Sequence, residues 1–583
     1  MAKITIDGKV FEVDPTQTII QAAQENGIVI PHFCWHPRLS VAGNCRMCLV
    51  EVEKMPKLVI ACATQVADGM VVKTDSSRAV KARQAVMEFL LINHPLDCPI
   101  CDEAGECKLQ DYTYNYSIGY SRFEEDKVHK PKRVPIGPNV MFDAERCILC
   151  SRCIRFCDEI VGKHQLQFVQ RGDHTLIETF PGEQLDNPYS MNVIEICPVG
   201  ALTSRDFRFK ARVWEMSATE TVCPGCARGC NMYMWVRNNE ILRLTPRQNL
   251  DVNDYWMCDA GRLTTYDFVN AATRISGPRM KKDGALVEVG WEEAIAKVAS
   301  ELRTFNKTEI AALGSAYATN EDNYLFQKFV RNVVGTKNLD FMPHVKEGDE
   351  DDFSTSLSTR GVVDLIRADK TPNSYGAREV GIKPVDDSTR RGEGGLAFDG
   401  IMKAVGEGKI KALYVIDDNI AAKPEVAEAL KKLDFLVVHA SNENETTMLA
   451  DVVLPSSTYA ERHGTFTTFQ GRVQRIRPAV STLEQDRALD GFSMSRLDKF
   501  MSPNDRWGRP NRRDARPTWR IIVSVANAMG GKFRYNMAED VFKELASVVP
   551  SFKGLTYQKI GRHGAMLTKK SVEAVYKEAT LSV

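Results

Sequence analysis

GNCRMCLVEVE, residues 43–53, joins two cysteines two residues apart to a run in which apolar and polar side chains alternate. The alternation in CLVEVE (48–53) predicts a strand, with the cysteines in the loop that feeds it. Toward the N-terminus, ITIDGKVFEV (4–13) alternates on both sides of Asp7-Gly8, which predicts a β-hairpin with a two-residue turn. TIIQAAQENG (18–27) predicts a short helix stopped by Gly27. Around the quoted stretch the thiols are spaced Cys34-x10-Cys45-x2-Cys48-x13-Cys62. A 2Fe–2S cluster takes four thiolates, some of them from a loop whose backbone wraps the sulfurs, and Gly43 lets such a loop turn tightly. The spacing is not the plant-type C-x4-C-x2-C. Structural zinc is the competing reading, but zinc knuckles pair two short C-x2-C units and only one is present here.

The rest of the chain bounds the answer. At 583 residues it is too long for one core, so several domains are expected. Lys+Arg and Asp+Glu are equal at 76 each, which argues against a nucleic-acid binder. No run approaches the ~18 apolar residues of a membrane span. MAKITIDGKVFEVD, residues 1–14, has no apolar signal core, so export is not expected. All 16 cysteines lie between Cys34 and Cys258. Buried inert thiols would be scattered, and a disulfide framework belongs to small exported domains; clustered thiols in an unexported chain point to metal.

Three further groups follow. RQAVMEFLLINHPLDCPICDEAGECKLQ (83–110) ends a helix at about Ile92 and then gives His94-x3-Cys98-x2-Cys101-x5-Cys107. Three thiolates and one imidazole can hold a 4Fe–4S cube, and a neutral ligand in place of an anionic one raises the potential, as in Rieske centres. A zinc site of three cysteines and one histidine is the alternative. The other nine histidines are read as solvated or core residues. Residues 117–139 are rich in charge, Pro and Gly and predict a linker or a surface crossing. RCILCSRCIRFC (146–157) then spaces Cys147-x2-Cys150-x2-Cys153-x3-Cys157, as in bacterial ferredoxins, where the fourth Cys serves a second cluster. No second run is present to receive Cys157. The assignment is therefore Cys147, Cys150, Cys153 and Cys197 (in ICPVGAL, 196–202) to one 4Fe–4S cluster, with Cys157 a small buried residue. The opposite choice, Cys157 in and Cys197 out, stays open. The fourth group is Cys223-x2-Cys226-x3-Cys230-x27-Cys258. Four clusters need sixteen ligands, and fifteen cysteines with His94 supply them.

Beyond Cys258, WEEAIAKVASEL (291–302) puts Ala294, Ile295, Val298, Ala299 and Leu302 on one helical face. IAALGS (310–315), KALYVID (411–417), DFLVVHAS (434–441) and ADVVLPSS (450–457) are short apolar runs with helical stretches such as KPEVAEALKKL (423–433) between them. That is the pattern of a parallel α/β sheet. Gly464 and Gly471 are read as allowing tight turns. Segments 369–397 and 484–518 resist assignment; the locally basic PNDRWGRPNRRDARPTWR (503–520) is read as a solvated loop able to dock a partner subunit. No G-x-G-x-x-G follows a strand, so a flavin or nicotinamide site is expected on another chain.

GNCRMCLVEVE resembles the 2Fe–2S ferredoxin domain that opens the large iron–sulfur subunit of respiratory complex I, and H-x3-C-x2-C-x5-C resembles the His-ligated cluster shared by complex I and iron-only hydrogenases. CPGCARGCN (223–231), MCDAGR (257–262) and ADVVLPSSTYAERHGTFTTFQGRVQ (450–474) resemble the molybdopterin oxidoreductase superfamily, the formate dehydrogenase relatives. In motif order the whole resembles the large iron–sulfur subunit of bacterial NADH:quinone oxidoreductase, its G subunit. The resemblance implies a multidomain α+β and α/β chain. Its parts would be a β-grasp 2Fe–2S domain (1–78), a 4Fe–4S domain with one His and three Cys ligands (79–118) and a 4Fe–4S ferredoxin-like domain (138–215). A 4Fe–4S domain of the Mo/W type (216–272) and a degenerate molybdopterin-oxidoreductase-like α/β domain (273–583) would follow. It implies one 2Fe–2S and three 4Fe–4S clusters and no catalytic side chain. It also implies flavin- and cluster-bearing partner subunits of the peripheral arm, membrane subunits and quinone further on, and a peripheral place on the cytoplasmic face of the cell membrane. With no Cys after Cys258 and no evident Ser or Asp substitute, no molybdopterin is expected. The rival readings are a molybdenum or tungsten formate dehydrogenase-type subunit, an iron-only hydrogenase, which would need a further Cys set, and a zinc scaffold.

Overall fold

The computed structural model describes residues 1–345, 363–385, 394–484 and 512–568. It divides into two compact units, the first running from Met1 to Glu215 with a short later piece that ends at Asp364, the second taking the rest from Met216.

The first unit opens with β1 (Ala2–Ile6) and β2 (Lys9–Val13), antiparallel with Ile6 opposite Lys9. Asp7 (φ 46°) and Gly8 (φ 80°) are both left-handed, as a type I′ turn demands. Strands β3 (Leu49–Val52), β4 (Val59–Ile60) and β5 (Val71–Lys73) complete a sheet of order β2-β1-β5-β3-β4, in which β1 and β5 run parallel. The helix Ile19–Glu25 buries Ile19, Ile20, Ala22 and Ala23 in one core with Ile4, Ile6, Val50 and Val72. Gln21 accepts from the Thr18 N–H and hydroxyl at 2.9 and 3.0 Å and so fixes the helix start. A mixed sheet holding one helix after its first hairpin is the β-grasp arrangement.

Helix Ser77–Ile92 follows, its start capped by Ser76 Oγ, which accepts from the Ala79 N–H at 3.2 Å. Residues 117–133 form no helix or strand. Then β6 (Val134–Pro135), β7 (Val140–Phe142) and β10 (Leu202–Ser204) make a small sheet, and β8 (Leu166–Val169) pairs with β9 (Leu176–Thr179). The helical pieces among them are short: Arg152–Arg155, continued by Phe156–Val161, then Gly172–His174 and Asn192–Ile196. This is a loop-rich framework in which backbone wraps around cysteines.

The second unit begins with the antiparallel β11 (Ser217–Val222), β12 (Asn231–Arg237) and β13 (Glu240–Pro246). Its centre is a seven-stranded sheet of β14 (Arg279–Lys282), β15 (Ala285–Glu288), β16 (Ile310–Leu313), β17 (Leu339–Asp340), β18 (Ala412–Ile416), β19 (Phe435–Ala440) and β20 (Val452–Pro455), ordered β15-β14-β20-β19-β18-β16-β17. The pairs among β16 to β20 are parallel. Both faces are covered. Ala412, Tyr414 and Ile416 of β18 join one apolar cluster, with helices Trp291–Leu302, Asn320–Phe329 and Thr518–Ala528, while Leu413 and Val415 join the other, with helices Phe398–Gly406 and Pro424–Leu430. Successive strand residues point to opposite faces, so a sheet buried on both needs an unbroken apolar run. A last sheet joins β21 (Gly464–Thr467), β22 (Arg472–Ile476) and β23 (Ala565–Met566).

The four predicted runs are β16, β18, β19 and β20. In helix Trp291–Leu302 the predicted face packs on the core, with Ile295 partly buried against it and Trp291 added to it. Three details differ from the sequence reading. Gly464 makes no turn: it lies in β21, where a Cβ would sit 2.6 Å from Thr319 Cγ2, whereas Gly471 (φ 78°) does turn. The unassigned 369–385 holds the helix Ser374–Glu379 and fully buried Thr371 and Asn373; 386–393 lies outside the described residues. Of the basic stretch 503–520, residues 503–511 lie outside the described residues, and Ala515, Thr518 and Trp519 are buried rather than solvated. No helix among the described residues is long and apolar enough to cross a membrane.

Candidate metal centres

The first group sits where the β-grasp sheet meets its loops. Gly43 (φ 62°) and Arg46 (φ 59°) turn the loop, Cys48 stands at the foot of β3, and Cys62 follows β4. The thiols come together two by two: Cys34 hydrogen-bonds with Cys45, and Cys48 with Cys62. The Cys34 backbone N–H also donates to Cys45 Sγ at 3.5 Å. The bond from Cys45 holds the Cys34 thiol down at about 5 and the same bond pushes Cys45 far up; Cys48 and Cys62 divide in the same sense. Thiols paired in this way are placed to ligate in twos. Two such pairs are the donor set of a two-iron centre.

In the second group, His94 follows the helix Ser77–Ile92, Cys98 opens the 3-10 turn Cys98–Ile100, and Cys107 stands just before helix Lys108–Tyr116. Cys101 and Cys107 are buried and Cys98 is exposed. Burial, helped by the positive charge of Lys127 and Arg146, pushes the His94 imidazole down to about 4, so it is neutral, the form that ligates iron. Cys101 lies in the field of Cys98, and Cys107 in that of Cys101. No hydrogen bond or ion pair among the described residues links His94 to these thiols, and the charged groups around its imidazole are Lys127, Arg146, Asp97 and Lys132. Arg212 donates to the carbonyls of Cys101, at 2.5 Å, and of Pro99, fixing the loop. Gly200 packs against it so closely that a Cβ would lie 2.2 Å from Cys101 Sγ.

Cys147, Cys150, Cys153 and Cys197 line one cavity, together with apolar side chains that include Ile177 and Val199. Left-handed Leu149 (φ 55°) and Ser151 (φ 61°) curl the chain around it, and the Leu149 N–H points at Cys147 Sγ at 3.4 Å. Burial pushes the Cys147 thiol up to about 12 and the Cys153 and Cys197 thiols well above their ordinary value. Cys157 is fully buried in the turn Phe156–Val161 and does not line this cavity. The fourth group hangs on the loop between β11 and β12, which carries Cys223, Cys226 and Cys230, with Cys258 at the start of helix Asp259–Leu263. The Gly225 and Gly261 N–H groups point at Cys223 and Cys258 Sγ at 3.4 and 3.3 Å. A Cβ on Gly261 would crowd both sulfurs, at 3.1 and 3.2 Å.

These features fit iron–sulfur clusters. Buried thiols with raised pKa are unstable as free anions and become thiolates when metal binds. N–H groups aimed at sulfur stabilise and tune such thiolates. Arg146, beside Cys147, is buried with Nη1 unpartnered, and it pairs with Asp97 at 2.8 Å and Asp143 at 3.4 Å. Among the described residues no three His, Cys, Asp or Glu side chains close on one point as a single ion requires. The close glycine at 200 and the arginines at 146, 152, 155 and 212 were missed by sequence reasoning; three of the four arginines stand inside or against RCILCSRCIRFC, where residue type shows but contacts do not.

Comparison with known families matches the whole sequence of modules. Residues 1–77 match a 2Fe–2S iron–sulfur cluster binding domain and 83–122 the NADH-ubiquinone oxidoreductase-G iron–sulfur binding region. Residues 137–203 match the ferredoxin-like domain of NADH-quinone oxidoreductase subunit 3. Residues 216–271 match the Fe4S4 domain of molybdopterin oxidoreductases, and 274–369 with 386–488 match molybdopterin oxidoreductase itself. The NADH-quinone oxidoreductase G subunit of Rickettsia bellii (strain RML369-C) is 42% identical over 57% of this chain and 48% of its own length. The 75 kDa subunit of NADH-ubiquinone oxidoreductase of Reclinomonas americana is 43% identical over 58% of this chain and 48% of its own. This chain thus spans about half the length of those relatives. The second NADH-quinone oxidoreductase G subunit of Rhizobium meliloti (strain 1021) is 29% identical over 97% of this chain and 84% of its own. Among solved structures, a chain of the NAD+-reducing [NiFe]-hydrogenase in the H2-reduced state is 29% identical over 36% of this chain and 91% of its own, at a TM-score of 0.33, too low to bear on the fold.

Proposed function

The chain is a homologue of the NADH-quinone oxidoreductase G subunit with 2Fe–2S, 4Fe–4S and molybdopterin-oxidoreductase domains, and on that basis we propose that it is the iron–sulfur relay subunit of such an oxidoreductase. Electrons would enter from a flavin-bearing partner and leave to another cluster-bearing partner, then to quinone. The proposed ligands are Cys34, Cys45, Cys48 and Cys62 for one 2Fe–2S cluster; His94, Cys98, Cys101 and Cys107 for a 4Fe–4S cluster; Cys147, Cys150, Cys153 and Cys197 for a second; and Cys223, Cys226, Cys230 and Cys258 for a third. The proposed domains keep the bounds 1–78, 79–118, 138–215, 216–272 and 273–583. Clusters held there would supply single-electron transfer without proton or group transfer. The residues hold them, aim N–H groups at sulfur, exclude water by burial and set the local charge. The proposed place is the cytoplasmic face of the cell membrane, bound through partner subunits.

The observation that carries this reading is the grouping of the thiols: three sets of four, and one triad that follows His94 by four residues in the chain. The match of 274–369 and 386–488 to molybdopterin oxidoreductase favours a second reading, a formate dehydrogenase-type subunit that holds molybdenum or tungsten. Anaerobic purification with iron, acid-labile sulfide and Mo/W analysis separates the two. Fourteen irons and fourteen sulfides per chain, about the sum of the four cluster types, with no Mo or W, are expected. Stoichiometric Mo or W with pterin supports the second reading, and colourless protein free of labile sulfide overturns both.

A further inference from the structure

The turn Arg152–Arg155 lies between two of the thiol groups. Arg152 is 9% exposed. Its guanidinium donates to the Ile196 carbonyl at 3.0 Å, one residue from Cys197, and to the Trp35 carbonyl, one residue from Cys34. Its Nε has no partner, and no carboxylate among the described residues pairs with it. Burial weighs against its charge, and the ionisable groups that would offset this are the thiols of Cys150, Cys197, Cys34 and Cys45, two from each group. Arg155 repeats the pattern one helical turn nearer the surface. It donates to the Cys34 carbonyl at 2.5 Å, to the Cys150 carbonyl at 3.3 Å, to the Ser40 carbonyl, and to Ser151 Oγ at 3.0 Å. Glu159 completes the junction by accepting from the Ser40 N–H at 2.7 Å and its hydroxyl at 2.5 Å.

A buried cation is costly unless an anion faces it. The Ile196 and Trp35 carbonyl oxygens accept from its two terminal nitrogens but do not neutralise its charge. The anions available to it are those that two loaded metal groups would carry. We propose that Arg152, supported by Arg155, is a positioning residue that serves as the shared counter-cation of the 2Fe–2S group and the Cys147–Cys197 group. It locks the two cysteine loops together and makes both clusters easier to reduce. The inference rests on the cluster reading above. Its sign follows from Coulomb's law: reduction adds one negative charge to a cluster, and a fixed positive charge nearby favours that form.

The test is an EPR-monitored redox titration of the full chain, loaded and handled without oxygen. Each cluster gains one electron from the titrant, and no bond or proton moves. R152M is expected to lower both midpoints together, each cluster being reduced about tenfold less readily, or about 59 mV for a one-electron couple. The signal of the Cys223–Cys258 group, to whose loops Arg152 makes no hydrogen bond among the described residues, is expected to stay in place. R152K keeps the charge and is expected to keep both midpoints. Wild-type midpoints in R152M, or movement of only one, overturn the proposal. If R152M does not hold iron, R155M at the less buried end is expected to lower the same two midpoints by a smaller step, and wild-type values there overturn it equally. A wild-type chain that lacks the two signals overturns the cluster reading itself, and this inference with it.

Discussion

At the scale of single residues, identity and neighbourhood divide the work. A cysteine announces itself in sequence, but whether it ligates depends on where its sulfur points. Cys157 and Cys197 make the contrast. Cys157 is four residues from Cys153 and fully buried, yet it does not line the cavity; Cys197, far downstream, does. Cys197→Ala is therefore expected to lose one 4Fe–4S cluster's share of iron and labile sulfide, while Cys157→Ala keeps the full complement, as measured by iron and sulfide analysis of anaerobic protein. The reverse pattern would put Cys157 in the ligand set. Gly200 belongs to the same scale: its missing side chain makes room for Cys101 Sγ, and nothing in ICPVGAL reveals that neighbour.

At the scale of elements, local chemistry was readable wherever period and turn residues agreed. Asp7-Gly8 between alternating runs gave the first hairpin, and four apolar runs gave four parallel strands. The same Asp-Gly signal stands at Asp283 (φ 51°) and Gly284 (φ 83°), where β14 and β15 form a second hairpin. It escaped notice because RMKK is polar: only Met280 of β14 is buried, the strand lying near the sheet edge. Gly464 shows the opposite error, a glycine read as a turn that is really a close approach between β21 and the start of helix Asn320–Phe329. Gly464→Ala would place a Cβ 2.6 Å from Thr319 Cγ2 and 2.9 Å from Thr319 Cβ. Overpacking of that kind costs about 1–3 kcal/mol, so the urea midpoint of the second unit is expected to fall with its slope unchanged; an unchanged midpoint would show that Thr319 yields freely.

At the scale of the whole molecule, contacts between residues far apart in sequence set properties that no local window carries. Glu321 is fully buried; its carboxylate accepts from the Thr465 N–H at 2.8 Å and from Tyr557 Oη at 2.8 Å, joining three elements of the second unit. Burial pushes this carboxyl up from its ordinary 4.5 to about 7, against the pull of those hydrogen bonds. Between those values the folded chain binds more protons than the unfolded one, so this group makes stability fall as pH rises from about 4.5 to about 7. Glu321→Gln is expected to flatten that part of the stability–pH curve, as read by denaturant unfolding at several pH values; an identical slope in the variant would show that Glu321 is ionised throughout. Ligand types, their local spacing and the strand and helix periods could all be read along the chain, because thiolate chemistry and backbone geometry act over a few residues. That Cys197 shares the cavity of Cys147, that Gly200 abuts Cys101 and that Arg152 stands between two thiol groups emerged only with the folded arrangement. Those contacts depend on how distant segments pack, and burial of charge acquires its cost only once they have.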